Sequence, residues 1–288
     1  MPRAHFAVRW FVSTVLAVAA LGGAAAPAGA VKGGVYDGNE HPNVGFIVGL
    51  DAQGDGLFSC TGTLVTPTVV LTAAHCMTGS IMDGVDQLVV SFSPTHELDA
   101  SGRPVIDQYV SGTPDPHPAY VDRASIAGPG GAAAFLESQA FDIGLLRLQA
   151  PAATVFPGIT PAAITGPGTN NRYLQAGYTK KDLVLQVGYG MNMIWPPGHD
   201  QIFLDGTRNQ SLVKVMKVTD ALLFIGANPR DQAGYGAPCQ GDSGSPVLRD
   251  GEIISLFTFS RGCNNQGGGV RLDAGPAREF LRSRGLVP

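Results

Sequence analysis

Cys239-Gln240-Gly241-Asp242-Ser243-Gly244-Ser245-Pro246 sets a serine between two glycines, directly after an acid. A serine hydroxyl is a poor nucleophile at neutral pH, so a serine presented in this way needs a base from elsewhere in the chain. Leu71-Thr72-Ala73-Ala74-His75-Cys76 offers His75. The imidazole in turn needs an acid to hold its tautomer and stabilise its charged form, and Phe141-Asp142-Ile143-Gly144-Leu145-Leu146-Arg147-Leu148 places Asp142 at the head of a strand-like run. Around Gly241 the backbone is free of side chains, which lets the N–H groups of Gly241 and Ser243 converge on a carbonyl oxygen becoming an oxyanion.

These three local sequences, in the order His, Asp, Ser, resemble the trypsin/chymotrypsin-like serine peptidases, in the form of a secreted bacterial-type member, over nearly everything after residue 30. The resemblance implies an all-β fold of two packed six-stranded antiparallel β-barrels and a short C-terminal helix. His75 and Asp142 would come from the first barrel and Ser243 from the second, with the active site in the cleft between them. It also implies which side chain precedes the cut bond. The residue six before the nucleophile, Ala237, would form the pocket floor, and Thr258-Phe259-Ser260 a wall. An aspartate at the floor would select Arg or Lys. Alanine provides no counter-charge, so an uncharged residue is expected there.

Composition agrees with a loop-rich β protein. The chain has 288 residues with 39 glycines and 21 prolines, punctuation that suits short strands better than long helices. A net charge of −4 gives no reason to expect nucleic acid or an anionic membrane as a partner. Strand signals fall in two sets. The first holds Gly45 to Leu50, Gly62 to Val65, Val69 to Thr72, Gln87 to Phe92 and Ile143 to Leu148; the second holds Leu183 to Val187, Leu212 to Val218, Leu222 to Ile225, Pro246 to Leu248 and Ile253 to Phe259. The expected division is a first barrel over about 31–155, a second over about 156–275, and a closing helix over about 276–285 that begins at Pro276. Proline-rich residues 93–140 read as loops on the first barrel.

Residues 1–30 form a separate object. Arg3 and Arg9 precede an apolar run, and Ala28-Gly29-Ala30 supplies the small-x-small pattern that signal peptidase reads. The alternative, a membrane anchor, is opposed by Ser13, Thr14 and two glycines within the run. Cleavage would start the mature chain at Val31. In the resembling family an apolar N-terminal residue places its ammonium on the acid before the nucleophile, here Asp242. Val31-Lys32-Gly33-Gly34 departs from the commoner Ile-Val-Gly-Gly form, and a second cut after Lys32 is the alternative.

Export implies an oxidising compartment, where four cysteines form bridges in one of three pairings. The resemblance selects Cys60 with Cys76 and Cys239 with Cys263, each closing a loop worth roughly 3 to 3.5 kcal/mol in the chain-entropy model. The cysteines form no CxxC, so no metal site is expected, nor any cofactor. His41, His96, His117 and His199 read as surface loop residues, and Asn209-Gln210-Ser211 is a glycosylation sequon. The expected protein is an extracellular monomer acting on protein or peptide substrates, with no nucleic acid and no membrane contact after signal removal. Two other readings are a catalytically silent, protein-binding relative and an α/β-hydrolase esterase. The esterase reading needs the order Ser, Asp, His and a glycine two residues after the nucleophile, and the chain has His first and Ser245 at that place.

Overall fold

The computed structural model describes residues 34–122, 125–126, 131–175, 182–193, 202–226, 236–260, 263 and 266–288. Residues 1–30, read from the sequence as a signal peptide, Val31 and His199 lie outside the described residues. A short strand β1 (Val35–Tyr36) opens the described chain. Six strands then close a barrel: β2 (Val44–Leu50), β3 (Gly56–Thr66), β4 (Val69–Thr72), β5 (Gln87–Ser91), β6 (Val110–Pro116) and β7 (Gly144–Leu148), in the order β2-β3-β4-β7-β6-β5. Every pairing in it is antiparallel.

The second half carries β8 (Ala163–Ile164), β9 (Leu183–Gly188), a ribbon of β10 (Asn192–Met193) and β11 (Ile202–Phe203), β12 (Asn209–Val218), β13 (Leu222–Gly226), β14 (Pro246–Arg249), β15 (Glu252–Leu256), β16 (Phe259–Ser260) and β17 (Gln266–Val270). Its main sheet has nine strands, ordered β16-β17-β13-β12-β9-β14-β15-β8, with β1 added on β12. Here the expectation of a second closed six-stranded barrel is met only in part. The sheet curls until β15 approaches β17, and an isolated bridge, Ser255 to Arg271, joins the seam in place of a full ladder.

Period-two alternation distributes the core. Along β2 the side chains of Val44, Phe46, Val48 and Leu50 enter a cluster shared with Val187, Tyr189, Leu248 and Ile253 of the second half. Ile47, between them, points into the first barrel with Cys60, Leu64, Val70 and Leu146. Because β2 is buried on both faces, its sequence is apolar without alternation. A separate cluster of Val184, Val213, Val215, Leu223, Ile225 and Phe257 fills the second half.

Among the described residues three α-helices complete the fold: α1 (Gly131–Gln139), α2 (Arg172–Gln175) and α3 (Gly275–Ser283). Helix α3 has the expected Pro276 in its first turn and buries Ala277, Phe280 and Leu281 in the cluster shared by both halves. The stretch 93–140, read from the sequence as loops, instead contains β6 and α1. Pro114 and Pro116 mask the strand, but they are tolerated because β5 pairs only with Val110 to Gly112, leaving the proline end hydrogen-bonded to β7 alone. The glycines of β17 likewise form a strand, since a Cβ at Gly269 would overlap the Leu256 carbonyl and one at Gly267 would meet Phe257.

Candidate active site

Strand pairing brings His75 and Asp142 together. Strands β4 and β7 pair with Thr72 opposite Gly144, so the turn after β4 and the residues before β7 share one rim of the barrel. His75 sits in a short 3₁₀ helix, Ala74–Cys76. The disulfide Cys60–Cys76 fixes that turn to β3. Asp142 is buried and makes a two-point contact: Oδ1 accepts from the His75 backbone N–H at 2.9 Å, and Oδ2 lies 2.7 Å from Nδ1. An accepting carboxylate puts the ring hydrogen on Nδ1, which leaves Nε2 as the base. Burial opposes protonation of the ring, but the charge and hydrogen bond of Asp142 outweigh it, with a smaller contribution from Asp122, and the His75 pKa is raised above 6.5.

The loop carrying Ser243 is packed against the same turn. Thr61 N–H donates to the Ser243 carbonyl at 2.8 Å, and Thr61 Oγ1 to the Gly241 carbonyl at 2.9 Å. Gly244, at φ +81°, lies so close to β3 and β4 that a Cβ there would overlap Thr72 Oγ1 and the Thr61 carbonyl. From Gly241 to Ser245, the N–H groups of Asp242, Gly244 and Ser245 donate to Cys239 O, Phe257 O and Asp242 O. Those of Gly241 and Ser243 donate to no protein group among the described residues. No hydrogen bond joins Ser243 Oγ to the His75 ring among the described residues; such bonds commonly tighten only when substrate binds. The second disulfide, Cys239–Cys263, closes below this loop.

Asp242 is fully buried beneath the serine. Its Oδ1 accepts from Gly190 N–H and its Oδ2 from Cys239 N–H, both at 2.9 Å. Burial pushes its pKa up to about 7 against the pull of these two donors, and Asp205 adds to the rise. A Cβ at Gly188 or Gly190 would collide with the carboxyl, so the Gly188-Tyr189-Gly190 sequence forms its seat.

Of the proposed pocket residues, Ala237 and Thr258 are buried, and Thr258 Oγ1 donates to Gln139 Oε1 at 3.0 Å. Ser260 ends β16 and, with Phe259, lines a groove of about 840 Å³ whose other wall is Phe135 and Leu136 of α1. This groove was missed from the sequence because α1 is an alanine-rich stretch with only weak amphipathicity. Cys60, His75 and Cys76 lie close enough to suggest a metal site, but both sulfurs are spent in the disulfide and offer no thiolate.

Two other readings are corrected. His41, His96 and His117 are partly buried rather than surface residues: His41 Nδ1 lies 2.5 Å from Asp37, His96 packs on Phe46 and Tyr189, and His117 between Phe141 and Phe280. Asn209 of the sequon is fully buried and donates to Thr207, so the folded chain does not present it for glycosylation.

The Trypsin family model matches residues 34–273. The chain belongs to the trypsin family. This trypsin-family chain is 26% identical over 241 residues to a trypsin of Saccharopolyspora erythraea, covering 79% of the chain and 85% of that protein. It is 23% identical over 256 residues to phenoloxidase-activating enzyme 1 of Spodoptera litura, covering 82% of the chain but 61% of that longer protein. Among solved structures, HL collagenase aligns with a TM-score of 0.59 at 14% identity, over 88% of this chain and 97% of its own. Neuropsin, a serine protease expressed in the limbic system of mouse brain, aligns at 0.56 and 19% identity, over 86% and 96%. These structural likenesses establish a chymotrypsin-like fold. The family consists of serine proteases acting on proteins or peptides, and no helix among the described residues is long and apolar enough to cross a membrane.

Proposed function

We propose that this chain is a secreted serine endopeptidase working through Ser243, His75 and Asp142 and an acyl-enzyme intermediate. The observation that carries the reading is the two-point seat of His75 on buried Asp142, with the Ser243 loop bonded to Thr61 of β3, the strand that the Cys60–Cys76 disulfide ties to the His75 turn. Ser243 Oγ attacks the scissile carbonyl while His75 Nε2 takes its proton, and Asp142 stabilises the imidazolium that results. The Gly241 and Ser243 N–H groups receive the oxyanion. His75 then returns the proton to the leaving amine, and water repeats the sequence on the acyl-enzyme.

The finer features belong to the same reading. Ala237 at the pocket floor, with Thr258 and Ser260 beside it, favours an uncharged side chain before the cut, and the apolar wall of Phe135, Leu136 and Phe259 suits an uncharged peptide upstream. Cleavage after Ala30 exports a monomeric enzyme and frees the Val31 ammonium to pair with Asp242. In the uncleaved chain the nitrogen of Val31 is an uncharged amide, so Asp242 has no such partner. The test is hydrolysis of a fluorogenic peptide with an uncharged residue before the scissile bond. Mature protein cleaves it, and folded Ser243→Ala protein loses that activity by several orders of magnitude. Equal hydrolysis by the two would refute the assignment.

A further inference from the structure

Arg208 is fully buried, and its guanidinium reaches three separate parts of the molecule. Nε donates to Asp37 Oδ2 at 2.8 Å, and Nη2 to Gly38 O at 3.2 Å and Asn39 Oδ1 at 3.1 Å, all in the segment that follows β1. Nη1 donates to the Val44 and Phe92 carbonyls of the first barrel, at 3.1 and 3.2 Å. It also donates to the Tyr189 hydroxyl at 3.2 Å, beside the seat of Asp242. The Asp37 N–H returns a bond to the Arg208 carbonyl at 3.0 Å, continuing the β1–β12 ladder.

From Tyr189 the contacts run on to the loop that carries the serine. The Tyr189 hydroxyl donates to Ser93 O at 2.7 Å, fixing the ring. Its backbone N–H donates to Thr61 Oγ1 at 3.1 Å, the same hydroxyl that donates to Gly241 O. Gly190 N–H holds Asp242, and Met191 N–H donates to Gln240 O at 2.6 Å. Three consecutive residues thus hold Gln240 to Asp242, and the first is anchored by Arg208.

We infer that Arg208 is a positioning residue that couples the N-terminal segment at Asp37 to Asn39 with the loop bearing the Gly241 and Ser243 N–H groups. The inference rests on the peptidase reading for its kinetic consequence, though not for its structural one. A planar guanidinium presents five donors in a fixed fork, whereas a lysine offers a single ammonium that reaches Asp37 without also spanning Asn39 and Tyr189. Displacing oxyanion donors weakens transition-state binding while leaving substrate binding largely intact.

The test compares Arg208→Lys, Tyr189→Phe and Arg271→Lys in the mature protein. Arg271 is also buried, and its guanidinium bonds Asp273, Thr219 and Asn171 rather than the serine loop or Tyr189, so its variant controls for loss of a buried arginine. The expected result for Arg208→Lys and Tyr189→Phe is kcat lowered by about tenfold or more with KM within about twofold, since a lost oxyanion donor costs about 10²- to 10³-fold and a displaced one less. Amide hydrogen exchange should quicken at 189–191 and 240–244 in both variants but not in Arg271→Lys. Tyr189→Phe keeps the Asp37–Arg208 pair, and it decides the matter if Arg208→Lys does not fold. Wild-type kcat and exchange in folded Tyr189→Phe protein would overturn the inference. If the wild type hydrolyses no peptide, the peptidase reading fails, and the exchange comparison alone supports or overturns the coupling.

Discussion

The charge state of Asp242 makes the stability of the precursor fall with rising pH, opposite to the usual behaviour of a paired carboxylate. Its pKa is about 7 in the fold against 3.8 for an ordinary aspartate. Between those values the unfolded chain has released the proton and the native chain retains it, so the unfolded state binds fewer protons and stability declines as pH rises. At about 1.4 kcal/mol per pH unit, the full decline is about 4 kcal/mol, complete once pH passes 7. The proteins to compare are Ser243→Ala protein that retains residues 1–30, the same chain with Asp242→Asn, and Ser243→Ala protein beginning at Val31. Urea midpoints measured at intervals from pH 4 to pH 8 give the slopes. His96, whose pKa burial lowers to about 4, adds a rise in stability between pH 4 and 6.5 that all three proteins share. The slopes are therefore read as differences: relative to its Asp242→Asn variant, the precursor should lose about 4 kcal/mol across the window. Asp37, Asp115 and Asp273 have pKa values below 3.8 and add little slope there. In the chain beginning at Val31, an ammonium on Asp242 lowers its pKa and removes that difference. Identical slopes in all three would refute both the buried charge and its pairing.

Other outcomes follow from the same geometry. Because Asp142 raises the His75 pKa, kcat/KM should fall on the acid side through a single titration with its midpoint above 6.5. Asp142→Asn should cost about four orders of magnitude in kcat; a pH-rate profile and a single-turnover rate check the pair. Gly244→Ala combines φ +81° with overlap onto Thr72 and Thr61, and should cost about 2 to 5 kcal/mol. Gly251→Ala, with φ +82° and nothing within 4 Å, should cost only the about 1 to 2 kcal/mol of backbone strain, and chemical unfolding distinguishes them. Matched peptides differing only before the scissile bond should show Arg disfavoured by roughly 10²-fold against an uncharged residue, the consequence of burying a cation without a partner. A preference for Arg in that kcat/KM series would mean that another acid reaches the pocket.

Short apolar strands were legible from local pattern because β2, β4, β5, β7, β9 and β12 to β15 each bury a face that must be apolar. Strand β6 was not, because its prolines signal a loop unless one knows that β5 stops pairing at Gly112, before Pro114 and Pro116. The glycines of β17 are chosen by the approach of Leu256 and Phe257, a tertiary fact with no local trace. At the site, His75, Asp142 and Ser243 stand in conspicuous local sequences, and so does Asp242. Thr61, Tyr189 and Arg208 do not, since each acts through partners distant in the chain: Thr61 reaches Gly241, and Arg208 reaches Asp37 and Tyr189. Asn209 illustrates the converse, a tripeptide that fits a surface sequon while its side chain is sealed inside.

The nucleophile can be tested by trapping the acyl-enzyme. Mature protein is mixed with an activated ester of an uncharged acyl group, quenched in acid, digested and weighed by mass spectrometry. The account predicts one added acyl group per chain, on the peptide that contains Ser243, lost on return to neutral pH and never formed by Ser243→Ala or His75→Ala protein. Turnover of the ester with no adduct on Ser243, or an adduct that survives Ser243→Ala, would contradict it.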